Sequence, residues 1–244
     1  LVPCLSQCIG RPIETHHVAV IAVGGVTFKH FLPLFGAGED EPLRRYALRR
    51  PVACMVDADP ARKVKNKDER RQKCWPYALG RDCARYDYFP VSGVVTNLQT
   101  MRDRSPENIK ICVSSKTLEY DLALANAQLP LLVTPSCEHE AALCALAETS
   151  STVPAPLQSL LAEDGSDTLD ALAACPDIAT HRFATCYLLC AEGAKGEHAF
   201  VLERQLRENA SKPEADRKPF VCPDYIKDAI HWTCVYDTPE APHA

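Results

Sequence analysis

The chain has 244 residues and a formal net charge of −5, with 46% hydrophobic and 24% charged residues. This composition is ordinary for a globular protein, and the length is enough for one or two domains with a sizeable core. The net negative charge argues against a nucleic-acid binder that relies on bulk attraction, but it leaves room for a local basic patch. Because no apolar run approaches about 18 residues, no transmembrane helix is expected.

Three apolar, β-branched runs predict buried strands. They are "HHVAVIAVGG" (16–25), "PVACMVDAD" (51–59) and "NIKICVSS" (108–115), and a predicted helix follows each of them, including the charged stretch after Asp59. Strands that alternate with helices are typical of an α/β protein with a parallel sheet covered by helices. A shorter run, "YDYFPV" (86–91), is a candidate fourth strand.

The character of the sequence changes near residue 120. From there to about 210, alanine and leucine recur with helical periodicity and strand signals are few. The predicted organisation is an α/β core over 1–119, a helical subdomain over 120–210, and a C-terminal helix and tail over 211–244 that return to the core. The segment "PDYIKDAIHWT" predicts the last helix, and the end of the tail, "TPEAPHA", is expected to be disordered.

Glycines and polar side chains follow the three predicted strands. A glycine pair ends at Gly25, Asp57 and Asp59 follow the second run, and a serine pair ends at Ser115, with Glu119 a few residues later. Ligands bind beyond the carboxyl ends of strands in an open parallel sheet, and carboxylate oxygens suit Mg²⁺. Alone, "DAD" is more often a turn, but the combination favours a metal site. The glycine pair either permits a tight turn or admits a phosphate, and it lacks the GxGxxG pattern of dinucleotide binders.

Two further stretches carry positive charge. In "EGAKGEHA" (192–199), glycines flank Lys195, which indicates either a break between helices or a lysine presented to a phosphate. The stretch "RKVKNKDERRQK" (62–73) has seven basic residues against two acidic ones. It is either a solvated loop or helix face, or a strip that follows a phosphate backbone. If the strip follows a phosphate backbone, the contacting residues are expected to be Arg62, Lys63, Lys65 and Lys67.

The 13 cysteines include no CxxC pair. We interpret them as reduced, mostly buried thiols of a cytosolic protein. A zinc site built from Cys137, His139 and Cys144 is an alternative, but its spacing does not match that of zinc fingers.

Five motifs of the chain form a recognisable series. In chain order they are "VAVIAVGGVTFKHFLPLF", "ACMVDADPARK", "SSKTLEYDLA", "AEGAKGEHAFVL" and "PFVCPDYIKDAIHWT". Together they resemble the C-terminal half of OLD-family endonucleases, which holds a Toprim domain and a helical insertion. The DxD of the second motif is common to all Toprim proteins, whereas the later motifs are specific to this family.

This resemblance implies a Toprim-like parallel sheet flanked by helices, with an all-helical insertion, and a hydrolase that cuts or nicks DNA with two divalent cations, Mg²⁺ or Mn²⁺. Family members are bacterial or phage proteins linked to phage defence, which implies a cytoplasmic location. Their N-terminal half is an ABC-type ATPase that binds ATP and dimerises, so the full-length protein is expected to be a homodimer.

The resemblance also assigns roles to residues of this chain. It implies metal ligands at Asp57, Asp59 and Glu119, with Asp57 and Glu119 also catalytic. The lysine near the scissile phosphate matches Lys195, Ser115 is a possible helper, and the Toprim glycine matches Gly25.

The chain departs from the family at its start. Toprim proteins open with a "VEG..E" pattern that has no counterpart here, so the chain is expected to begin inside the first helix and to lack the first glutamate. The parent protein is then expected to be a nuclease, and the chain as given an impaired one. A non-catalytic Toprim module that binds DNA or proteins is therefore an alternative, and a Toprim ribonuclease or primase-like enzyme is another.

Overall fold

The computed structural model describes residues 1–24, 28–37, 45–103, 107–149 and 152–235. Its strands are β1 Val52–Val56, β2 Ala61–Val64, β3 Gln72–Lys73, β4 Tyr86–Phe89 and β5 Ile109–Val113. Its helices are α1 Val2–Cys8, α2 Phe28–Phe31, α3 Gly93–Asp103, α4 Leu118–Ala125, α5 Glu140–Thr149, α6 Ala155–Asp164, α7 Ser166–Ala173, α8 Ile178–Ala191, α9 Lys195–Ser211 and α10 Asp224–Val235.

The chain divides into two compact units, and neither is continuous in sequence. The strand-pair unit comprises residues 2–58, 91–114 and 224 onwards, and the helical unit comprises residues 1, 59–90 and 115–223.

The strand-pair unit has the α/β character that the sequence predicts. β1 and β5 pair in parallel, from Val52 opposite Ile109 to Val56 opposite Val113. Both strands are rich in β-branched residues, which fit a pleated, buried surface. Helix α10 packs on both strands and α3 packs on β5. The buried core comprises Leu32, Ala37, Cys54, Val56, Val95, Leu98 and Ile109.

The strand predicted over 16–25 is wrong for the residues that the structure describes. A 3-10 helix, Ile13–His16, ends where His17 adopts a left-handed conformation with φ 55°, and 18–24 have no regular secondary structure. Val20 is 51% exposed and Ile21 65% exposed. A strand is stabilised by a hydrogen-bonded neighbour, and within the described ranges no strand pairs with this segment. Gly25 lies outside the described residues.

Asn108 fixes the loop that precedes β1 to the start of β5. Its side-chain amide is buried and donates to the backbone carbonyls of Phe35, Leu48 and Arg50, at 3.3, 3.5 and 2.9 Å. The Asn108 backbone carbonyl accepts the Val52 N–H at 2.8 Å. One side chain therefore satisfies three carbonyls that secondary structure leaves free.

We expect Asn108→Ala to lower the free energy of unfolding by about 1–2 kcal/mol, because three partly buried hydrogen bonds would lose their donor. Urea denaturation followed by circular dichroism measures the loss. Asn97→Ala, at an exposed position of α3 in the same unit, is the matched control and is expected to change stability little. Equal stability of the two variants would show that the Asn108 side chain does not stabilise the loop before β1.

The helical unit contains an antiparallel sheet of order β3-β2-β4. The run "YDYF" is a strand as predicted, but it pairs antiparallel with β2 and takes no part in the β1–β5 pair. The helix predicted after Asp59 is wrong, since that stretch forms β2. Arg62 lies 4.5 Å from the ring centroid of Tyr86 across the strand pair. The charged stretch has little intrinsic preference for either helix or strand. Cross-strand contacts of this kind therefore favour its extended conformation.

The helices predicted over 120–210 are confirmed for the described residues by α4 to α9. Helix α4 packs closely on α8, and Tyr120, Phe183 and Tyr187 are fully buried in this core. The Asn126 side chain forms hydrogen bonds with both the N–H and the carbonyl of Val221, at 2.8 Å each. These bonds hold the segment around Val221 against the end of α4. The domain boundaries at residues 119 and 210 stay a prediction.

The cysteines are free, and eight of the 13 are buried. The prediction of mostly buried thiols is thus confirmed. Burial raises the pKa of Cys54 to about 11 and that of Cys186 to about 12, so both thiols are protonated at neutral pH. In the part of the chain that the structure describes, no helix is long and apolar enough to cross a membrane.

Candidate functional site

Asp57 and Ser114 meet where β1 and β5 end, within the strand-pair unit. The Ser114 hydroxyl donates to Asp57 Oδ1 at 3.4 Å and accepts the Ala58 N–H at 3.2 Å. The Ser114 N–H also continues the strand pairing by donating to the Val56 carbonyl at 3.0 Å. The sequence gives a serine pair at this strand end, and the serine that contacts the aspartate is the first of the two.

Ser115, the predicted helper, belongs to the helical unit and holds a turn. Its N–H donates to Asp121 Oδ2 at 2.7 Å, and its hydroxyl donates to Asp121 Oδ1. Burial raises the pKa of Asp121, and these two hydrogen bonds oppose the rise. Ser115 thereby ties the chain to the first turn of α4, the helix that carries Glu119.

A cavity of about 480 Å³ lies within the helical unit. Asp59, Arg62 and Lys195, three of the residues singled out in the sequence, line it together. Lys73 and Lys116 line it as well. Its volume falls in the range of about 300–1,000 Å³ that is typical of small-ligand sites. Residues from distant parts of the sequence therefore converge on one concave, cation-rich surface.

Asp59 enters the cavity from a backbone conformation that few residues adopt. Its φ is 44°, in the left-handed region, and its N–H donates to the Lys116 carbonyl at 3.2 Å. Aspartate and asparagine tolerate this region better than other residues with a side chain, although at some cost. Strained backbone of this kind is concentrated at functional sites, so the conformation marks Asp59 as a residue of interest.

Lys116 is a buried cation that the sequence reasoning missed. It is 7% exposed, its Nζ donates to the Cys74 carbonyl at 3.1 Å, and it lies 4.3 Å from the ring centroid of Trp75. Burial lowers its pKa, and the nearby carboxylate of Asp59 opposes that fall. The sequence does contain a sign of this lysine, because "SSKT" places Lys116 directly after a strand end. Its burial against Trp75, however, depends on contacts between residues that are distant in sequence.

Glu119 and Lys195 form an ion pair. Glu119 lies in the first turn of α4, where a carboxylate is favoured by the helix dipole, and Thr117 caps this helix by accepting the Tyr120 N–H at 3.4 Å. Lys195 begins α9, directly after a 3-10 turn, Glu192–Ala194, that separates α9 from α8. Lys195 Nζ is 3.5 Å from Glu119 Oε2. The glycine-flanked stretch is therefore both a break between helices and a lysine presented at a helix start.

The four basic residues predicted to contact DNA do not form a single row. Arg62 lines the cavity, whereas Lys63, the next residue of β2, faces the opposite side of the strand. Lys65 donates to the Cys83 carbonyl at 2.6 Å. Lys67 lies 3.4 Å from a carboxylate oxygen of Glu69. Of this set, Arg62 is the residue that shares a surface with Asp59 and Lys195.

A buried polar cluster fixes the helix that carries Lys195. His198, three residues further along α9, contacts the Thr134 hydroxyl through Nδ1 at 2.8 Å and the Tyr187 hydroxyl through Nε2 at 2.5 Å. Burial lowers the pKa of His198, which favours the neutral imidazole that this packing needs. Sequence reasoning missed this cluster, because its members come from three separate segments.

Within the described ranges, no group of three or more His, Cys, Asp or Glu side chains is placed to hold a metal ion. Cys137 of the alternative zinc site instead contacts Thr134 and His198, with its Sγ 3.5 Å from His198 Nδ1.

No protein family, curated protein or solved structure matches the chain. A functional assignment therefore depends on the motifs and on the geometry above.

Proposed function

We propose that this chain is the nuclease half of an OLD-type ATP-dependent endonuclease, with a Toprim-like core, and that it hydrolyses phosphodiester bonds in DNA. The observation that carries the proposal is the cavity of the helical unit. Asp59, Arg62 and Lys195 were singled out in the sequence as metal ligand, backbone contact and phosphate-facing lysine, and all three line it. A surface shared by a carboxylate and several cations can contribute a metal ligand and neutralise charge on a phosphodiester.

The proposed cofactors are two divalent cations, Mg²⁺ or Mn²⁺, and the resemblance assigns Asp57, Asp59 and Glu119 as their ligands. The chemistry of this donor set fits, because all three supply the carboxylate oxygens that hard cations prefer. When bound, such cations activate water and stabilise the leaving oxygen. Lys195 and Arg62 would neutralise charge on the non-bridging oxygens of the phosphate, with Arg62 able to donate two parallel hydrogen bonds.

The proposal extends to the parent protein. Its partners would be DNA and an ABC-type ATPase half of the same chain, where ATP binds and through which two copies associate. Its biological role would be defence of a bacterium against phage. The resemblance of the five motifs supports these statements.

The test is cleavage of supercoiled plasmid with Mn²⁺, together with calorimetric titration of Mn²⁺. Any nicking or linearisation by the wild-type chain, weak or strong, is expected only when the metal is present. Asp57→Ala is expected to abolish both metal binding and cleavage. Asp228→Ala is the matched control, since this exposed carboxylate of the same unit pairs with Lys110 at 3.4 Å. Cleavage by Asp57→Ala at the wild-type rate would overturn the proposal.

A second candidate function is a Toprim module that binds DNA or proteins without cleaving. The observation that favours it is the Glu119–Lys195 ion pair, which already engages one proposed metal ligand. Under this alternative, Asp57→Ala leaves DNA binding unchanged and no divalent metal produces cleavage. Cleavage of RNA alone would instead indicate a Toprim ribonuclease.

A further inference from the structure

The cavity of the helical unit has an apolar wall that cleavage chemistry does not explain. Trp75, Ala78 and Leu188 line it, and all three are buried. Trp75 is held rigidly: its ring stacks on Tyr77 with 5.9 Å between centroids and an interplanar angle of 8°, and its Nε1 donates to Asp164 Oδ2 at 2.8 Å. A fixed apolar wall suits a flat or ring-shaped ligand group.

The cavity also carries positive charge, which includes the ammonium groups of Lys116 and Lys73. Lys116 is 7% exposed, forms no ion pair within the described part of the chain, and lines the cavity together with Lys73. Lys116 is dehydrated whereas Lys73 is exposed, and an anion bound between them would offset the cost of burying the Lys116 ammonium. The lysines thus point to a phosphate.

Three carboxylates, of Asp59, Asp164 and Glu192, also line the cavity. Asp164 Oδ2 accepts hydrogen bonds from Trp75 Nε1 and from the Thr168 hydroxyl, at 2.8 and 2.7 Å, so it serves to orient the wall. Asp59 is the proposed metal ligand. Glu192 lies 3.3 Å from Lys73 Nζ, in an exposed pair that a phosphate could replace at little cost.

We propose that this cavity binds one unpaired nucleotide, with its phosphate at Lys73 and Lys116 and its base and sugar against Trp75, Ala78 and Leu188. The volume of about 480 Å³ suits a unit of this size. The inference deepens the proposed nuclease function and rests on it for the claim that the nucleotide belongs to DNA. The preferred substrate is then a single strand, a strand end or a flipped nucleotide, because paired bases are stacked inside a duplex and cannot enter a pocket.

The test is DNA binding in EDTA, followed by fluorescence anisotropy. The probes are a short fluorescein-labelled oligothymidylate, a labelled duplex of equal length with both ends closed by hairpin loops, and unlabelled dTMP as competitor. The oligothymidylate is expected to bind at least about tenfold more tightly than the closed duplex, and dTMP is expected to displace it. Equal binding of the closed duplex, or failure of dTMP to compete, would overturn the inference. Binding of dTMP without binding of the oligothymidylate would indicate a site for free nucleotides and would overturn the claim about strands.

Two variants locate the phosphate. Lys73→Gln and Lys116→Met are each expected to weaken binding of the oligothymidylate about tenfold and to reduce the slope of log affinity against log salt by about 0.7. Lys73 is the safer variant for folding, since its side chain is 88% exposed. Lys212→Gln, an exposed lysine of the same unit outside the cavity lining, is the matched control. Unchanged affinity and slope in Lys73→Gln would exclude the phosphate from this position.

Because the binding assay contains no metal, its result is independent of cleavage. Preferential binding of the single strand combined with no cleavage under any metal would overturn the nuclease proposal and leave the nucleotide pocket standing. Metal-dependent cleavage combined with equal binding of the closed duplex would overturn the nucleotide pocket and leave the nuclease proposal standing.

Discussion

Replacement of Asp59 by asparagine is expected to abolish metal-dependent cleavage of DNA and to leave the fold intact. The amide keeps the shape of the side chain and tolerates the left-handed backbone at this position, where φ is 44°. It removes the negative charge that a divalent cation requires. Loss of a metal ligand removes several kcal/mol of transition-state stabilisation, so we expect kcat to fall about a thousandfold or more. Plasmid nicking under single-turnover conditions measures the loss.

A series at the same position separates charge from backbone strain. Asp59→Ala is expected to be inactive and also less stable, by about 1 kcal/mol, because alanine is disfavoured in the left-handed region. Asp59→Gly is expected to be inactive without that loss. Asp87→Asn, on β4 of the same unit, is the control and should retain full activity. An active Asp59→Asn enzyme would remove this residue from the proposed metal site.

Lys195→Met is expected to lower kcat by about 10²–10³-fold, because a cation that faces developing charge contributes most in the transition state. Its effect on the free energy of unfolding should stay within about 1 kcal/mol, since its ion pair with Glu119 is partly exposed. Thermal denaturation and cleavage kinetics on the same samples measure the two quantities.

Two further variants decide how the loss of activity in Lys195→Met is interpreted. Lys195→Arg keeps the positive charge and should recover part of the activity, whereas Lys212→Met should behave as the wild type. A loss of stability that parallels the loss of activity would show that Lys195 supports the start of α9 and does not act on the phosphate.

The strands of the parallel pair could be predicted because their β-branched runs match what a buried strand needs. The same signal was wrong at "VAVIAV", where Val20 and Ile21 are exposed. Composition indicates which segments can form strands, but pairing requires a partner elsewhere in the chain. The stretch after Asp59 shows the converse, since a charged run of weak preference becomes β2 through contacts with β4.

The candidate site could be predicted in part. Asp59, Arg62 and Lys195 were identifiable from motifs, and they share one cavity. Lys116 and Trp75 were not, because a lysine becomes a buried cation and a tryptophan becomes a wall only through tertiary packing. Ser114 was half-predicted: the motif shows a serine pair at a strand end, but only the strand register decides which hydroxyl reaches Asp57.

The parallel pairing of β1 with β5 has a consequence for how the protein folds. Asp57 and Ser114, the residues that meet at its end, are 57 positions apart, and residues 59–90 of the helical unit lie between them in sequence. Closing so long a loop costs entropy before any strand hydrogen bond compensates for it, and non-local pairs of this kind slow folding. The pair is therefore expected to close late, after the local helices, so a chain arrested early in folding would have helical content and yet lack the Asp57–Ser114 contact.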